Sequence, residues 1–346
     1  MTSIERLDGW EDARPDWIAL GERSGSIFAT WEWADAWREH LGGGATPVFH
    51  RAVRDGSTVA LVPLVEQRRG PLRILRFVGH GPSDELGPVH AAGDREAGAR
   101  ALASALEAAR WHVFLGERLD GDGDWPRTLG RPVLRHEASP VIRLDGGWDD
   151  YLATRSRNHR GNVRRAERQL AEQHDVVFRL ADAGSLHGDL DTLIALHRLR
   201  WGAGSSAFEG GREAFHRAFA AVALDRGWLR LWTLELDGTA VAAWYGFRFG
   251  DAEWFYQSGR DPAWDRESVG TVLLAHTIRS AVEDGVPCYR LLRGDEGYKA
   301  RFATADPGLD TIAVGRGALG RGAIAAANGV ARLPTGLRGR VAARLR

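Results

Sequence analysis

Position 299 stands apart among the charged residues. The chain holds 46 lysines and arginines, and Lys299 is its single lysine. An ammonium on a thin stem, with three rotatable donors and a tunable pKa, serves where a wide, permanently charged guanidinium cannot. It lies in Arg293-Gly294-Asp295-Glu296-Gly297-Tyr298-Lys299-Ala300-Arg301-Phe302, where a turn, two carboxylates, a phenol and an ammonium crowd together. The plain alternative is a lysine left by chance on a solvated helix. A second grouping is arginine alone. Arg157, Arg160, Arg164 and Arg168 recur at helical spacing and put four guanidiniums on one face, with Glu167 and Glu172 nearby. Such a stripe suits phosphates, and a solvated, salt-bridged face is its bland counterpart. The third grouping is Arg266-Glu267-Ser268-Val269-Gly270-Thr271. It opens a helix directly after a strand, and helix N-termini bind anions through unpaired N–H groups. Ser268 is placed to cap that helix, Gly270 lets a ligand approach the backbone, and Arg266 adds charge; an ordinary capped helix is the alternative.

The elements that must position these groups are legible as an echo. Asp55-Gly56-Ser57-Thr58-Val59-Ala60 returns as Asp237-Gly238-Thr239-Ala240-Val241-Ala242. Asp-Gly between apolar runs marks a hairpin, because both residues tolerate positive φ. Two such hairpins, each followed by Ser/Thr and Val-Ala, point to an old duplication. In the second half, strands are expected at 228–236, 241–249 and 253–258. A helix follows from Ser268 to Glu283, striped by Leu274, Ile278, Ala281 and Val282, and then a strand from Cys288. Two helices precede this meander. One carries Leu190, Ile194, His197 and Trp201 on one face, with His197 read as a core histidine; the other spans 212–225. The first half is a weaker copy: a Trp-rich helix from Thr30 to Leu41, strands around Asp55-Gly56 and at 72–78, a helix at 94–110 and a strand at 112–115.

Composition bounds the remainder. With 346 residues, 44% of them apolar, and 14 tryptophans, the chain can bury two ordinary cores. Formal net charge is zero, so no bulk field drives it onto nucleic acid. No acidic residue follows Asp310, whereas Arg316, Arg321, Arg332, Arg338, Arg340, Arg344 and Arg346 do, which predicts a loosely held basic tail. Cys288 is the sole cysteine, excluding an intramolecular disulfide and a cysteine metal cluster, and it reads as a buried, inert thiol. No metal site is expected. Neither a signal peptide nor an apolar run of bilayer length is visible. A cytoplasmic protein without stable membrane insertion is expected.

Helix pair, three-strand meander, helix and strand is the element order of the Gcn5-related N-acetyltransferase (GNAT) fold. Several stretches resemble the tandem proteins described as CelD-like or BioF2-like acetyltransferases, relatives of the Fem aminoacyl-tRNA-dependent transferases. They are Ser83-Asp84, Tyr151 to Leu170, His197-Arg198-Leu199-Arg200-Trp201, Ser268-Val269-Gly270-Thr271 and Gly294-Asp295-Glu296-Gly297-Tyr298-Lys299. The chain departs from these relatives in three places: Glu85 where an aromatic is expected, Arg290 where an acidic residue is expected, and Gly297 for a common proline. The resemblance implies an α+β protein of two tandem GNAT-like lobes, each a mixed, mostly antiparallel sheet flanked by helices. A degenerate lobe would span 1–145, a lobe with the donor site 146–315, and the basic tail 316–346.

The same resemblance implies acyl-CoA as donor, its pyrophosphate lying at Ser268, Val269, Gly270 and Thr271 with Arg266, and with Arg157, Arg160 and Arg164 available to phosphates. Lys299 would stabilise charge on the intermediate, and Asp295 or Glu296 would orient it or take the amine's proton. Tyr298 would meet the leaving group, while Ser83, Asp84, Trp201 and Tyr256 would line the acceptor pocket. The acceptor would be a small-molecule or nucleotide-linked amine. Two further readings remain open: a Fem-like transferase using aminoacyl-tRNA to form a peptide bond on a cell-wall or natural-product acceptor, and a non-catalytic scaffold for envelope polysaccharide assembly.

Overall fold

The computed structural model describes residues 2–202 and 205–331. The chain forms two compact units. Among the described residues, one comprises 2–24, 42–136 and 309–331; the other comprises 25–41, 137–202 and 205–308. Two segments are therefore exchanged relative to a contiguous division near residue 145. The Trp-rich helix Trp31–His40 belongs to the second unit. Its Trp33 is fully buried against Phe215, Phe219, Phe247 and Tyr256, at ring-centroid distances of 4.8, 4.7, 6.2 and 5.6 Å. In the other direction, strand Leu309–Gly315 joins the first unit's sheet beside Val113–Asp120.

Both units follow one plan. In the first, strands Thr46–Arg54, Ser57–Arg69 and Leu72–Phe77 form an antiparallel meander, helix Arg95–Ala108 follows, and Val113–Asp120 pairs parallel to Leu72–Phe77. In the second, Leu229–Leu236, Thr239–Phe249 and Ala252–Arg260 form the meander, helix Val269–Glu283 follows, and Cys288–Arg290 pairs parallel to Ala252–Arg260. The echo extends to backbone detail. Asp55 and Gly56 have φ of 53° and 78°, and Asp237 and Gly238 have 50° and 76°. Each hairpin also slips register just before its turn, at Ala52/Val53 and at Leu234/Glu235. Those bulges lie at equivalent positions of the two hairpins, as a duplication requires.

In the second unit, one sheet face packs on helix Val269–Glu283, burying Leu274, Ile278 and Ala281, with Val282 half-buried. Helices Leu186–Trp201 and Gly211–Asp225 and the Trp-rich helix hold the aromatic cluster around Trp33. His197 is a satisfied core histidine: Nδ1 meets the Ser258 carbonyl at 2.9 Å and Nε2 the Ser205 hydroxyl at 2.6 Å. Cys288 is half-buried rather than buried, because its strand pairs for only three residues. The expected loose tail is ordered at first. Gly317–Ala331 is a helix, and Arg316 donates to the Leu106 and Ala109 carbonyls at 3.4 and 3.1 Å while covering Trp111. Arg332, Arg338, Arg340, Arg344 and Arg346 lie outside the described residues.

Candidate active site

The site begins where two parallel strands part. The ladder between Ala252–Arg260 and Cys288–Arg290 ends at Trp254 opposite Arg290. The Leu291 N–H then donates to the Pro140 carbonyl at 2.9 Å, turning away, while the other strand continues to Arg260. The fork leaves that strand's edge open from Phe255 onward. Just there the strand carries an extra residue: Tyr245 faces Gln257 and Gly246 faces Phe255, so Tyr256 has no opposite number. A bulge of this kind re-aims side chains and increases local twist.

A cavity of about 270 Å³ fills the fork. Its walls are Trp244, Phe255, Leu273, Leu274 and Phe302 on the apolar side, and Arg200, Ser258, Arg260, Asp265 and Tyr298 on the polar side. The opening turn of helix Val269–Glu283 closes one end with Ser268, Val269, Gly270 and Thr271. Ser268 adopts left-handed backbone (φ 59°) and makes no side-chain cap, contrary to the expectation that it caps the helix. The Thr271 N–H donates to the Ser268 carbonyl at 2.8 Å, so the amides of Val269 and Gly270 are the ones left at the helix start, where the macrodipole favours an anion. A Cβ on Gly270 would stand 3.1 Å from Arg260 Cδ, so the glycine lets that arginine lie across the helix start.

Charge in the cavity is net positive. Arg260 pairs with Asp265, and burial together with neighbouring Arg200 lowers its pKa. Arg200 donates to the Ser258 hydroxyl at 2.8 Å and stacks over Trp201 at 4.5 Å and Tyr298 at 5.9 Å. Gly259 makes this approach possible. A Cβ there would collide with the His197 amide, so only glycine lets helix Leu186–Trp201 press onto the strand and deliver Arg200. The Tyr298 phenol is pushed up to about 12, first by burial and then by Glu296, with Arg200 opposing. It is a protonated donor throughout the neutral range.

Lys299 does not line this cavity. It is 5% exposed, and its ammonium turns back on its own loop. Nζ donates to the Arg293 carbonyl at 2.6 Å and the Leu292 carbonyl at 3.5 Å, and pairs with the Glu296 carboxylate at 3.1 Å. Two of these contacts are hydrogen bonds to carbonyls, and the third is an ion pair. The loop is tight: Leu292 has φ 57° and Gly294 φ 132°, and a Cβ on Gly294 would collide with the Glu296 carboxylate and stand 2.8 Å from Nζ. A planar guanidinium has no room there, which gives the lone lysine a physical reason.

Other sequence-predicted residues disperse. Arg266 and Asp295 are exposed. Arg160 donates to the Ala153 and Arg155 carbonyls, Arg164 pairs with Asp149 at 2.9 Å, and Arg168 lies 3.8 Å from Glu172. Arg157 is exposed, and Glu167 pairs with Arg279 instead of the stripe. None of the four stripe arginines lines the cavity. Tyr256 points to the opposite sheet face, into the cluster of Trp33, His216 and Tyr245, because Phe255 takes the cavity side. Trp201 is 43% exposed, its ring under Arg200. Ser83 and Asp84 are buried in the first unit, where Ser83 donates to the Gly79 carbonyl at 2.8 Å. Sequence reasoning missed Phe255, Ser258 and Arg260, and gave Arg200 no role. The interior glycine of Ser258-Gly259-Arg260 was the available signal, since a strand glycine marks close backbone approach.

Residues 157–300 match the model of an acetyltransferase (GNAT) domain. No curated protein matches the chain. Among solved structures, FemX superposes with a TM-score of 0.61 at 12% identity, over 88% of this chain and 96% of that one. L-PGS from Bacillus licheniformis gives 0.55 at 13% identity, over 90% and 98%. A tandem GNAT protein from the clavulanic acid biosynthesis pathway gives 0.51 at 12% identity, over 92% and 99%. Residues 157–300 are thus an acyltransferase domain of the GNAT family, set in a chain with the two-unit fold of Fem-like and tandem GNAT proteins.

Proposed function

We propose that the protein transfers an acyl group from acyl-CoA to an amine, with the second unit holding the donor. The observation that carries this reading is one cavity combining an open strand edge, an uncapped helix start and a half-buried phenol. The strand edge supplies backbone groups for the amide-bearing arm of coenzyme A. The amides of Val269 and Gly270 face its pyrophosphate, with Arg260 and the exposed Arg266 adding charge. Tyr298, protonated at neutral pH, gives its proton to the departing thiolate. Asp295, exposed on the same turn, takes the proton of the incoming amine, since Glu296 is tied to Lys299. Lys299 acts through the turn: it braces the loop that presents Tyr298 and holds positive charge beneath it. Ser83, Asp84 and Trp201 remain candidates for acceptor contacts; Tyr256 supports the strand from behind. Donor chemistry of this kind puts the reaction in the cytoplasm. The motif from Gly294 to Lys299 favours the CelD-like and BioF2-like branch.

A second reading has one specific support. The fold likeness includes FemX, and Arg157, Arg164 and Arg168 are exposed on one helix face, as contacts to the backbone of an aminoacyl-tRNA donor would require. Calorimetry with acetyl-CoA and a gel shift with charged tRNA separate the two. The first reading expects saturable acetyl-CoA binding that weakens with Arg260→Gln; tRNA binding without coenzyme A binding would reverse the assignment.

A further inference from the structure

Several half-buried arginines of the second unit are matched by carboxylates, and others, such as Arg160 and Arg230, by backbone carbonyls. Arg179 meets Asp189 and Glu235, Arg217 meets Asp191 and Glu213, Arg248 meets Glu253 and Asp284, and Arg279 meets Glu167. In the cavity wall, Arg260 has Asp265. Arg200 has no carboxylate partner among the described residues. Its partners are a neutral hydroxyl, on Ser258, and two aromatic faces, of Trp201 and Tyr298. A guanidinium drawn partly out of water and oriented by ring stacking is prepared for a planar anion, which it can grip with two parallel N–H bonds. Its place matters equally. Arg200 neighbours Arg260 on one side and lies over the Tyr298 ring on the other, and Tyr298 in turn stands 6.5 Å from Phe255 on the open strand. A thioester carbonyl would sit near Tyr298 if the donor arm follows that strand.

We propose that Arg200 binds a carboxylate carried by the transferred acyl group, making the site selective for dicarboxylic acyl thioesters. This rests on the acyl-CoA reading above. Arg200 serves as a specificity-determining residue: the omega-carboxylate of the acyl chain forms a bidentate pair with its guanidinium, and Ser258 and the Tyr298 ring hold the fork in plane. The apolar wall of Phe255, Trp244 and Phe302 accommodates the methylene spacer.

The test is calorimetric, on the full-length protein, with succinyl-CoA and acetyl-CoA, and again with succinyl-pantetheine and acetyl-pantetheine, which lack nucleotide phosphates. A charge-assisted pair predicts that the succinyl ester binds roughly 10- to 100-fold more tightly in both series. Arg200→Gln should abolish that preference in both, and Arg200→Lys should restore part of it. Circular dichroism melting of each variant separates a binding loss from misfolding; if Arg200→Gln fails to fold, the wild-type preference in the pantetheine series decides. Equal binding of the two acyl groups by the wild type overturns the proposal while leaving acyl-CoA as donor. So does a variant that weakens every coenzyme A ester equally, since Arg200 would then hold a phosphate. Binding of no coenzyme A ester overturns both this inference and the donor reading.

Discussion

The two units begin alike and diverge at the end of the third meander strand. In the first, Leu72–Phe77 pairs with Val113–Asp120 through Ile74, Leu75 and Arg76, and then stops. The chain turns at once through residues 79–86, and Arg118, itself at φ 55°, holds the turn by donating to the Gly81 and Ser83 carbonyls. The Leu86 N–H returns a bond to the Arg118 carbonyl at 3.0 Å. In the second unit the strand runs on past its last pair to Arg260, and the fork holds a cavity. A duplicated scaffold has thus used one junction twice: as a tight turn in one copy and as an open fork lined by a cavity in the other. The teaching is that the difference lies in strand length and one bulge, not in the plan of the fold.

The sharpest way to break this contrast is to remove the phenol. Tyr298→Phe should lower kcat by about 100- to 10,000-fold, the usual range for a general acid, with little change in donor KM. An unchanged kcat would remove Tyr298 from the mechanism. Lys299→Arg comes next. Forcing a guanidinium into the carbonyl nest should cost roughly 1–3 kcal/mol of stability, as overpacking does, and lower kcat through Tyr298; thermal unfolding and steady-state kinetics read both. Full stability and full turnover in that variant would show the lysine to be incidental.

In the first unit, Arg118→Ala should destabilise by about 1–3 kcal/mol through carbonyls left without donors, while the affinity for acetyl-CoA stays put. A matching loss of affinity would mean that both copies bind the donor. The smallest effect concerns pH. The folded-state pKa of Tyr298 is raised, so its contribution to stability is complete below the unfolded value near 10 and is lost as pH climbs through about 12. His276, stacked on Phe178 at 3.8 Å, is lowered to about 4 by burial and then by Arg279. Its contribution is complete above 6.5 and is lost as pH falls through 4. His276→Phe should therefore flatten the acid limb of a melting-temperature profile.

The repeated Asp-Gly hairpins announced the duplication because a two-residue turn with positive φ leaves few alternatives. The helix from 269 was equally visible from its apolar spacing. The exchanged Trp-rich helix was not, since its partners Phe215, Phe219 and Phe247 lie some two hundred residues away and periodicity says nothing about which core a face joins. At the site, the singularity of Lys299 was legible, but the direction of its ammonium depends on a loop with two positive-φ residues. Tyr256 and Phe255 exchanged roles for a similar reason: one extra residue in a strand flips every face beyond it.

Amide hydrogen exchange with and without acetyl-CoA compares the two junctions directly. Ligand should slow exchange in Phe255–Arg260 and Ser268–Val272 and leave residues 72–90 unchanged. Protection confined to 72–90, or no protection in either segment, would contradict an open fork in the second unit as the donor site.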